Sequence, residues 1–159
     1  MNAKLINPYI ISVFNCLETM LGVQPQRQTP YLKDNSLTQG DVTGVIGFAD
    51  KYVIGSVALS FPTETILSIY NRLLDEAETR LTHQVQDLVG ELTNIIAGGA
   101  KKGFFQDGIS FQISIPAVIV GRNQTIYYQL NTPAIAIPFL LDGSPFILEV
   151  TMKTESDRR

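Results

Sequence analysis

The stretch QDLVGELTNIIAGGAKKG, residues 86–103, contains the side chains whose types and spacing are most suggestive of chemistry. Asp87, Glu91, Asn94 and Gly98 follow one another at intervals of four, three and four. At about 100° per residue, these intervals place all four in one narrow stripe of a helix. Two carboxylates four residues apart repel each other by about 0.2 to 0.5 kcal/mol, and no Lys or Arg follows at the next helical step. The stripe therefore predicts a surface formed for contact or catalysis, where carboxylates can act as acid and base and an amide can orient water.

The same helix has a second, apolar stripe that we expect to be buried. It lies roughly 80 to 180° round the helix from Asp87 and consists of Val85, Leu88, Leu92, Ile95, Ile96 and Gly99. The neighbouring glycines Gly98 and Gly99 each cost roughly 1 kcal/mol relative to alanine in a helix interior. This cost indicates that another backbone approaches the helix closely, either a partner's or one in this chain, and we favour packing within the chain.

Other kinds of active site have little support. His83 is the only histidine, which excludes a metal site of several imidazoles. We interpret it as a polar residue near the helix start, although it stands one turn before Asp87 and could contact a partner. Cys16, the only cysteine, lies in an apolar helical pattern and is predicted to be a small buried hydrophobe. A glycosidase-like pair of Asp87 and Glu91 is disfavoured because both come from one helix and the chain has no tryptophan.

The composition is that of an ordinary globular protein. The chain has 159 residues, of which 45% are hydrophobic and 17% charged, with a net charge of −3, so we expect one domain over residues 1–159. No basic run with interleaved aromatic residues occurs, and we expect no nucleic-acid binding. The N-terminal residues lack the apolar core of a signal peptide, and no apolar run approaches the length of about 18 residues that a membrane span needs. We therefore expect a cytoplasmic protein that does not bind membranes.

Two helices are predicted before the third helix, which should run from about Thr82 to Lys102. Residues 5–22 have a helical apolar pattern, and a second helix should begin near Pro62 and end near Asp75. Lys101 and Lys102 followed by Gly103 are typical of a helix end, so Gly103 is predicted to stop the third helix.

Strands are predicted in three parts of the chain. Residues 23–40 should form a loop with an edge strand at about residues 28–33. Two apolar runs around Asp50 indicate a hairpin, and Asp142-Gly143 indicates another. The C-terminal runs are ISFQISI, QTIYYQL, AIAIPFLL and SPFILEVTM. A helix followed by a hairpin thus occurs twice as a weak repeat, and the fold class is predicted to be α+β, an antiparallel sheet with packed helices.

Aligning the two copies suggests that only one has the polar stripe. With Glu18 set opposite Glu91, the first helix has Leu21 at the position of Asn94. The first helix is then predicted to carry no second site.

The pattern Asp87-x3-Glu91-x2-Asn94-x21-Pro116 resembles the signature of the CheC, CheX and FliY family of chemotaxis phosphatases. The resemblance extends through NAKLINP, TGVIGFAD, IGSVALSFP, NIIAGGAKKG and ISIPAVIVG, and is strongest to the one-site CheX-like members. The spacing before the proline is shorter by one than is common in the family, so the loop geometry differs here.

The resemblance implies a CheC-like fold built from two weakly similar halves and a phosphatase that acts on the aspartyl phosphate of a CheY-type response regulator. It implies that Glu91 docks on a lysine of the phosphorylated receiver domain, and the amide of Asn94 fits a role in positioning the attacking water. From the stripe itself, we expect Asp87 to support the docking contact at its edge and Gly98 to contact the partner. It also implies that this chain binds no cofactor or metal, that Mg²⁺ is held by the partner receiver, and that the protein is a homodimer. We expect QTIYYQL, residues 124–130, to be a candidate edge for pairing between subunits.

Two alternatives remain open. The stripe can be the solvated face of an amphipathic helix with no further role. The protein can also be a non-catalytic module that binds a phosphorylated receiver domain or a flagellar switch component.

Overall fold

The computed structural model describes residues 3–126 and 131–155. Three helices and eight strands appear in this part of the chain and have the following order: α1 (Ala3–Leu21), β1 (Gln26–Arg27), β2 (Tyr31–Lys33), β3 (Val42–Ala49), β4 (Val53–Phe61), α2 (Thr63–Leu74), α3 (His83–Gln106), β5 (Gln112–Ile113), β6 (Ala117–Val120), β7 (Ala134–Leu141) and β8 (Ser144–Thr154). All strand pairs among these elements are antiparallel. The predicted α+β class is confirmed.

Two hairpins form the centre of the sheet. β3 pairs with β4, β7 pairs with β8, and the hairpins join where β4 pairs with β8, so that Val57 lies opposite Val150. The short strands of each half of the chain pair with the hairpin of the other half. β1 and β2, which precede the first hairpin, pair with β7, whereas β5 and β6, which precede the second hairpin, pair with β3. The order β1-β7-β8-β4-β3-β5 therefore has the two-fold character of the predicted repeat.

The predicted hairpin turns are both present. Asp142 and Gly143 have φ angles of 49° and 82°, and two successive positive φ angles are what a type I′ turn requires. In the first hairpin, the Asp50 N–H donates to the Val53 carbonyl at 2.7 Å.

The second helix begins and ends where the sequence predicts. Pro62 precedes its first residue, Thr63, and Asp75 follows its last turn in a left-handed conformation. Asp41 reaches this helix from the start of β3, since its Oδ2 accepts hydrogen bonds from the Thr63 N–H at 2.7 Å and from the Thr63 hydroxyl at 2.9 Å. A carboxylate at a helix N-terminus satisfies N–H groups that the helix leaves unpaired.

The prediction that Gly103 stops the third helix is wrong. α3 continues to Gln106, and the chain turns at Gly108, which has a φ of 82°. A Cβ at Gly103 would lie 3.1 Å from the Cβ of Pro8. The glycine therefore allows α1 to approach α3 closely, a reason that the sequence alone did not reveal.

The predicted strands between α3 and β7 are shorter than expected. Only residues 112 and 113 of ISFQISI form a strand, and a separate strand, β6, follows at Ala117–Val120. Residues 127–130 of the predicted edge QTIYYQL lie outside the described residues. Its first three residues are held by the segment 36–38 of the same chain, through hydrogen bonds from Thr38 N–H to the Gln124 carbonyl and from Ile126 N–H to the Ser36 carbonyl.

The core lies between the helices and one face of the sheet. An aromatic group joins α1, α3 and β3, with ring centroids 5.5 Å apart for Tyr9 and Phe104 and 4.9 Å apart for Phe48 and Phe111. On the other face of the sheet, Lys33 and Glu149 form a buried ion pair with an Nζ to Oε1 distance of 2.9 Å. The core fixes α1 and α3 against the sheet and so determines which face of α3 points outward.

Candidate active site on the third helix

α3 begins with a side-chain cap and lies directly on β3. The Thr82 hydroxyl accepts a hydrogen bond from the Val85 N–H at 3.3 Å, which is the usual capping contact at a helix start. Further along the helix, Thr93 lies over Gly44, where an added Cβ would overlap the Thr93 hydroxyl and lie 3.2 Å from the Val89 carbonyl oxygen. The absence of a side chain at Gly44 therefore lets the helix lie close to the sheet.

α1 holds the opposite flank of α3. The Ser12 hydroxyl donates to the Ile96 carbonyl at 2.7 Å, and Gly99 lies so close to Ser12 that an added Cβ would overlap it. The contact between Gly103 and Pro8 repeats this approach one turn later. The packing role that we predicted for the glycine pair is thus correct for Gly99, whereas nothing lies within 4 Å of a Cβ built on Gly98.

These supports leave the predicted stripe facing outward. The side chains of Asp87, Glu91 and Asn94 are exposed, and Gly98 is half-buried. Within residues 3–126 and 131–155, none of the three side chains forms a hydrogen bond or a salt bridge. Glu91 and Asn94 are three residues apart and so are offset by about 4.5 Å along the helix axis. A carboxylate and an amide are therefore free to engage a partner together.

The buried face of α3 is wider than predicted and centred further round the helix. Ile95 is 37% exposed and Gly99 is exposed, although both were expected to be buried, and Leu88 is only half-buried. The buried positions also include residues that do not count as strongly apolar in a sequence pattern, namely Gly90, Thr93, Ala97 and Ala100. Small side chains are buried because the backbone of α3 lies close to β3, and this displaces the larger Ile95 to the edge of the contact.

Pro116 lies beside the turn of α3 that carries Glu91. A Cβ built on Gly90 would be 3.7 Å from Cγ of Pro116 and 3.4 Å from Cγ2 of Val118. The distant proline of the sequence motif is therefore a neighbour of the helical stripe in space, and β6 packs along this flank of α3.

The flank next to α1 has a groove that the sequence did not predict. Its volume is about 580 Å³, and its lining includes Ile11, Asn15, Cys16 and Ile95. Ile11 is 57% exposed. The sequence pattern missed this groove because it placed Ile95 in the buried stripe, whereas Ile95 is 37% exposed beside Ile11.

Cys16 and His83 do not form a nucleophilic or metal-binding site beside the stripe. Burial, with a smaller contribution from the charge of Glu91, raises the pKa of Cys16 to about 11, so the thiol stays protonated near neutral pH and is a weak nucleophile. His83 is exposed at the first position of α3. Across residues 3–126 and 131–155, no group of three or more His, Cys, Asp or Glu residues is arranged to hold a metal ion.

The first helix does not repeat the polar stripe. Glu18 accepts a hydrogen bond from the Gln24 side chain at 2.6 Å, while Leu21 and Phe14 pack against the core. In the described part of the chain, therefore, α3 alone displays the predicted combination of carboxylates and amide.

The described residues thus form an α+β fold whose two related halves share an antiparallel sheet and whose third helix exposes Glu91 and Asn94 on one face. The family model described as "Chemotaxis phosphatase CheX" matches residues 42–140. The chain belongs to this CheX family of chemotaxis phosphatases.

Individual relatives agree with this assignment. The chain is 28% identical over 127 residues to the CheY-P phosphatase CheX of Thermotoga maritima, a match that covers 79% of this chain and 81% of that protein. A CheC-like superfamily protein from Shewanella sp. PV-4 is 35% identical, with a TM-score of 0.88 over 96% of this chain and 99% of the other. The chemotaxis protein CheX from Vibrio vulnificus is 31% identical, with a TM-score of 0.85 over 94% and 99%. The predicted CheC-like fold is therefore confirmed.

A complex with CheY is among the similar structures. It is the complex of CheX, CheY, BeF₃ and Mg²⁺ from Borrelia burgdorferi, whose matching chain is 27% identical to this one with a TM-score of 0.78, over 94% of this chain and 97% of that chain. None of the described helices of the present protein is long and apolar enough to cross a membrane.

Proposed function

We propose that this protein is a phosphatase that hydrolyses the aspartyl phosphate of a CheY-type response regulator, with Asn94 positioning the water and Glu91 docking the partner. The family assignment and the CheY-P phosphatase CheX relative support the activity, and the Borrelia burgdorferi complex supports a CheY-type partner. The observation that supports these two roles is that Glu91 and Asn94 lie side by side on one face of a helix that packs against both α1 and the sheet. Both side chains are exposed and form no hydrogen bond or salt bridge within the described chain.

Hydrolysis of the aspartyl phosphate requires this protein to position a water molecule rather than to supply a reactive group of its own. An aspartyl phosphate is an acyl phosphate, and its hydrolysis requires a water molecule in line with the bond from phosphorus to the carboxyl oxygen. The carboxamide of Asn94 offers an acceptor and two donors. It can orient a water molecule without the negative charge that would repel the phosphoryl oxygens. Asn94 therefore supplies geometry, and the chemistry proceeds on the receiver domain.

Glu91 supplies the docking contact in this proposal. Its carboxylate is exposed and has no cation on α3 within one helical turn, so it is free to pair with a lysine of the receiver. Asp87 stands one turn before it and supports the same contact at the edge. Gly98 stands one turn after Asn94, and the open space beside it allows a partner backbone to approach.

Mg²⁺ belongs to the partner in this mechanism. We propose that the receiver holds the ion beside its phosphorylated aspartate, where it balances the charge of the phosphoryl group. The exposed carboxylates of this chain then face protein cations of the receiver.

Timed loss of phosphate from a receiver tests the proposed activity. A purified CheY-type receiver would be phosphorylated with a small phosphodonor in the presence of Mg²⁺, separated from the donor, and mixed with this protein. A phosphatase shortens the lifetime of the phosphorylated receiver in proportion to its own concentration. A non-catalytic binding module leaves the lifetime unchanged or lengthens it, and that result would refute the proposed activity.

A further inference from the structure

The outward face of α3 continues beyond the candidate site. α3 has 24 residues and is therefore about 36 Å long. Phe105 stands about five helical turns beyond Asp87, so the two residues point in the same direction. Lys101 and Lys102 lie on either side of this direction. We refer to Gly98, Lys101, Lys102, Phe105, Gln106 and Ser110 as the C-terminal patch; together they line a cavity of about 540 Å³.

Two features of the C-terminal patch are unexplained by packing within the described chain. Phe105 is 70% exposed, although burial of an aromatic side chain is one of the larger favourable contributions available to a protein. Glycine is unfavourable relative to alanine in a helix interior, yet a Cβ at Gly98 would meet nothing within 4 Å. By contrast, Gly99 and Gly103 are required for the approach of α1.

Charge separates the two ends of this helix face. Asp87 and Glu91 are near its N-terminal end, and Lys101 and Lys102 are near its C-terminal end. Neither lysine forms a salt bridge with any residue in the ranges 3–126 and 131–155. The helix dipole favours cations within the last turn of a helix, but α3 has no basic residue in its last turn. The dipole therefore does not explain the lysines, the exposed phenylalanine or the open space at Gly98.

We propose that the C-terminal patch is a second docking point for the same receiver domain, and that it binds an acidic surface segment of the receiver that also presents an apolar residue to Phe105. This proposal rests on the proposed function, because it takes the receiver as the partner of Glu91 and Asn94. Lys101 and Lys102 pair with the acidic groups, and the cavity beside Gly98 admits the segment.

Distances along the helix favour one partner for both ends. Lys101 lies about 10 Å beyond Asn94 along the axis, which is too far for its ammonium group to reach a phosphoryl group at Asn94. A compact domain of about 120 residues has a radius of gyration of about 14 Å, so it can cover most of the length of this helix face. The lysines therefore contact receiver surface next to the phosphorylation site rather than the phosphate itself.

Single substitutions in the C-terminal patch test this proposal through affinity. The probe is a CheY-type receiver loaded with beryllofluoride and Mg²⁺, and the measurements are the dissociation constant and the rate of dephosphorylation at saturating protein. We expect Lys102→Glu and Phe105→Ala each to weaken binding about 3- to 30-fold, with the saturated rate changed less than about two-fold. Lys51→Glu is the matched control, because Lys51 is also exposed and undergoes the same change of charge, and it should leave the affinity unchanged.

A cavity-filling variant separates docking from folding. Gly98→Leu should raise the thermal midpoint, because leucine is a better helix former and its Cβ would meet no atom within 4 Å, but it should weaken receiver binding. If Gly98 were instead needed for packing within the chain, Gly98→Leu would lower the thermal midpoint.

The outcomes also distinguish the patch from the proposed activity. If the wild type speeds phosphate loss but Lys102→Glu and Phe105→Ala both bind as tightly as the wild type, the C-terminal patch is not a receiver contact although the phosphatase assignment stands. If the wild type binds without speeding phosphate loss and these two variants bind more weakly, the patch stands and the activity fails. A change of sedimentation mass in Phe105→Ala with unchanged receiver affinity would identify the patch as a contact between copies of this chain and overturn the proposal.

Discussion

Gly44 of β3 lies directly beneath Thr93 of α3, so close that a Cβ at residue 44 would overlap the threonine hydroxyl. Thr93 is 1% exposed, and its hydroxyl donates to the Val89 carbonyl at 2.7 Å. Asn94 directly follows Thr93 in the sequence, and Glu91 precedes it by two positions. The contact between the sheet and the helix therefore fixes the distance from the sheet and the orientation of Glu91 and Asn94, the residues that we propose for docking and for positioning water.

Gly44→Ala should lower the free energy of unfolding by about 1 to 3 kcal/mol, because the methyl group forces α3 away from the sheet. Gly47→Ala on the same strand is the control, since its Cβ would have 3.9 Å of clearance and alanine in a strand costs less conformational entropy than glycine. Urea unfolding of both variants checks the prediction, which fails if they are equally stable.

Asn94→Ala should reduce the catalysed rate of dephosphorylation by roughly 10- to 1,000-fold, or about 1.4 to 4 kcal/mol of lost positioning. Asn94→Asp should not restore the rate, since a carboxylate brings negative charge against the phosphoryl oxygens and loses the amide donor. Stability should change little because Asn94 is exposed. Single-turnover rates at saturating protein measure the effect, and full activity of the Asn94→Asp variant would contradict the water-positioning role.

Glu91→Ala should mainly weaken binding to the receiver, and Glu91→Lys should weaken it further because a cation then faces the receiver's lysine. An affinity loss of about 2 kcal/mol or more is typical when a charged partner is left buried without its counter-charge. Titration against the beryllofluoride-loaded receiver gives the dissociation constants, with thermal unfolding as the control for folding. Unchanged affinity in Glu91→Lys would remove Glu91 from the interface.

Asp41 should stabilise the protein in a pH-dependent manner. A hydrogen bond from Arg122, with further bonds from Thr63, lowers the pKa of Asp41 from 3.8 to about 2. Because the folded-state pKa is depressed, the stabilisation is fully present above about pH 4 and is lost as the pH falls through about 2. Asp41→Ala should cost about 1 to 2 kcal/mol at neutral pH, comparable to the loss of a helix cap.

Urea unfolding of Asp41→Ala and wild type between neutral pH and about pH 2.5 tests this dependence. Asp34→Ala is a suitable control, because Asp34 is exposed and its side chain forms no hydrogen bond or salt bridge in residues 3–126 and 131–155. The stability difference between wild type and Asp41→Ala should narrow as the pH falls below about 4. A difference that is constant across the whole range would rule out the ion pair as its source.

We also predict a homodimer, as the family resemblance implies. Among the described residues, β6 pairs only with β3, and its Val120 is 49% exposed. It therefore offers a short apolar sheet edge, and unpaired edges favour association. Sedimentation equilibrium at micromolar concentration should give about twice the chain mass of 17.6 kDa. A monomeric mass at that concentration would contradict the prediction.

Local sequence patterns were sufficient to predict the main elements and the residues of the candidate site. Helical spacing grouped Asp87, Glu91 and Asn94 on one face, and the exposure of all three agrees with this. Hydrophobic periodicity and turn chemistry are local properties, which is why the hairpins around Asp50 and Asp142-Gly143 were correctly predicted. The family resemblance likewise depended on residue types at fixed spacing.

Features that depend on contact between distant residues became visible only in the folded molecule. Gly103 has the sequence context of a helix stop but serves as a contact with Pro8, and Gly98 and its neighbour Gly99 have different surroundings. Ile95 belongs to the apolar pattern, yet it is displaced from the core because Thr93 and its small neighbours fill the contact with the sheet. Local patterns describe one element at a time, whereas burial depends on which surface another element covers, and that is fixed only when the helices and sheet pack together.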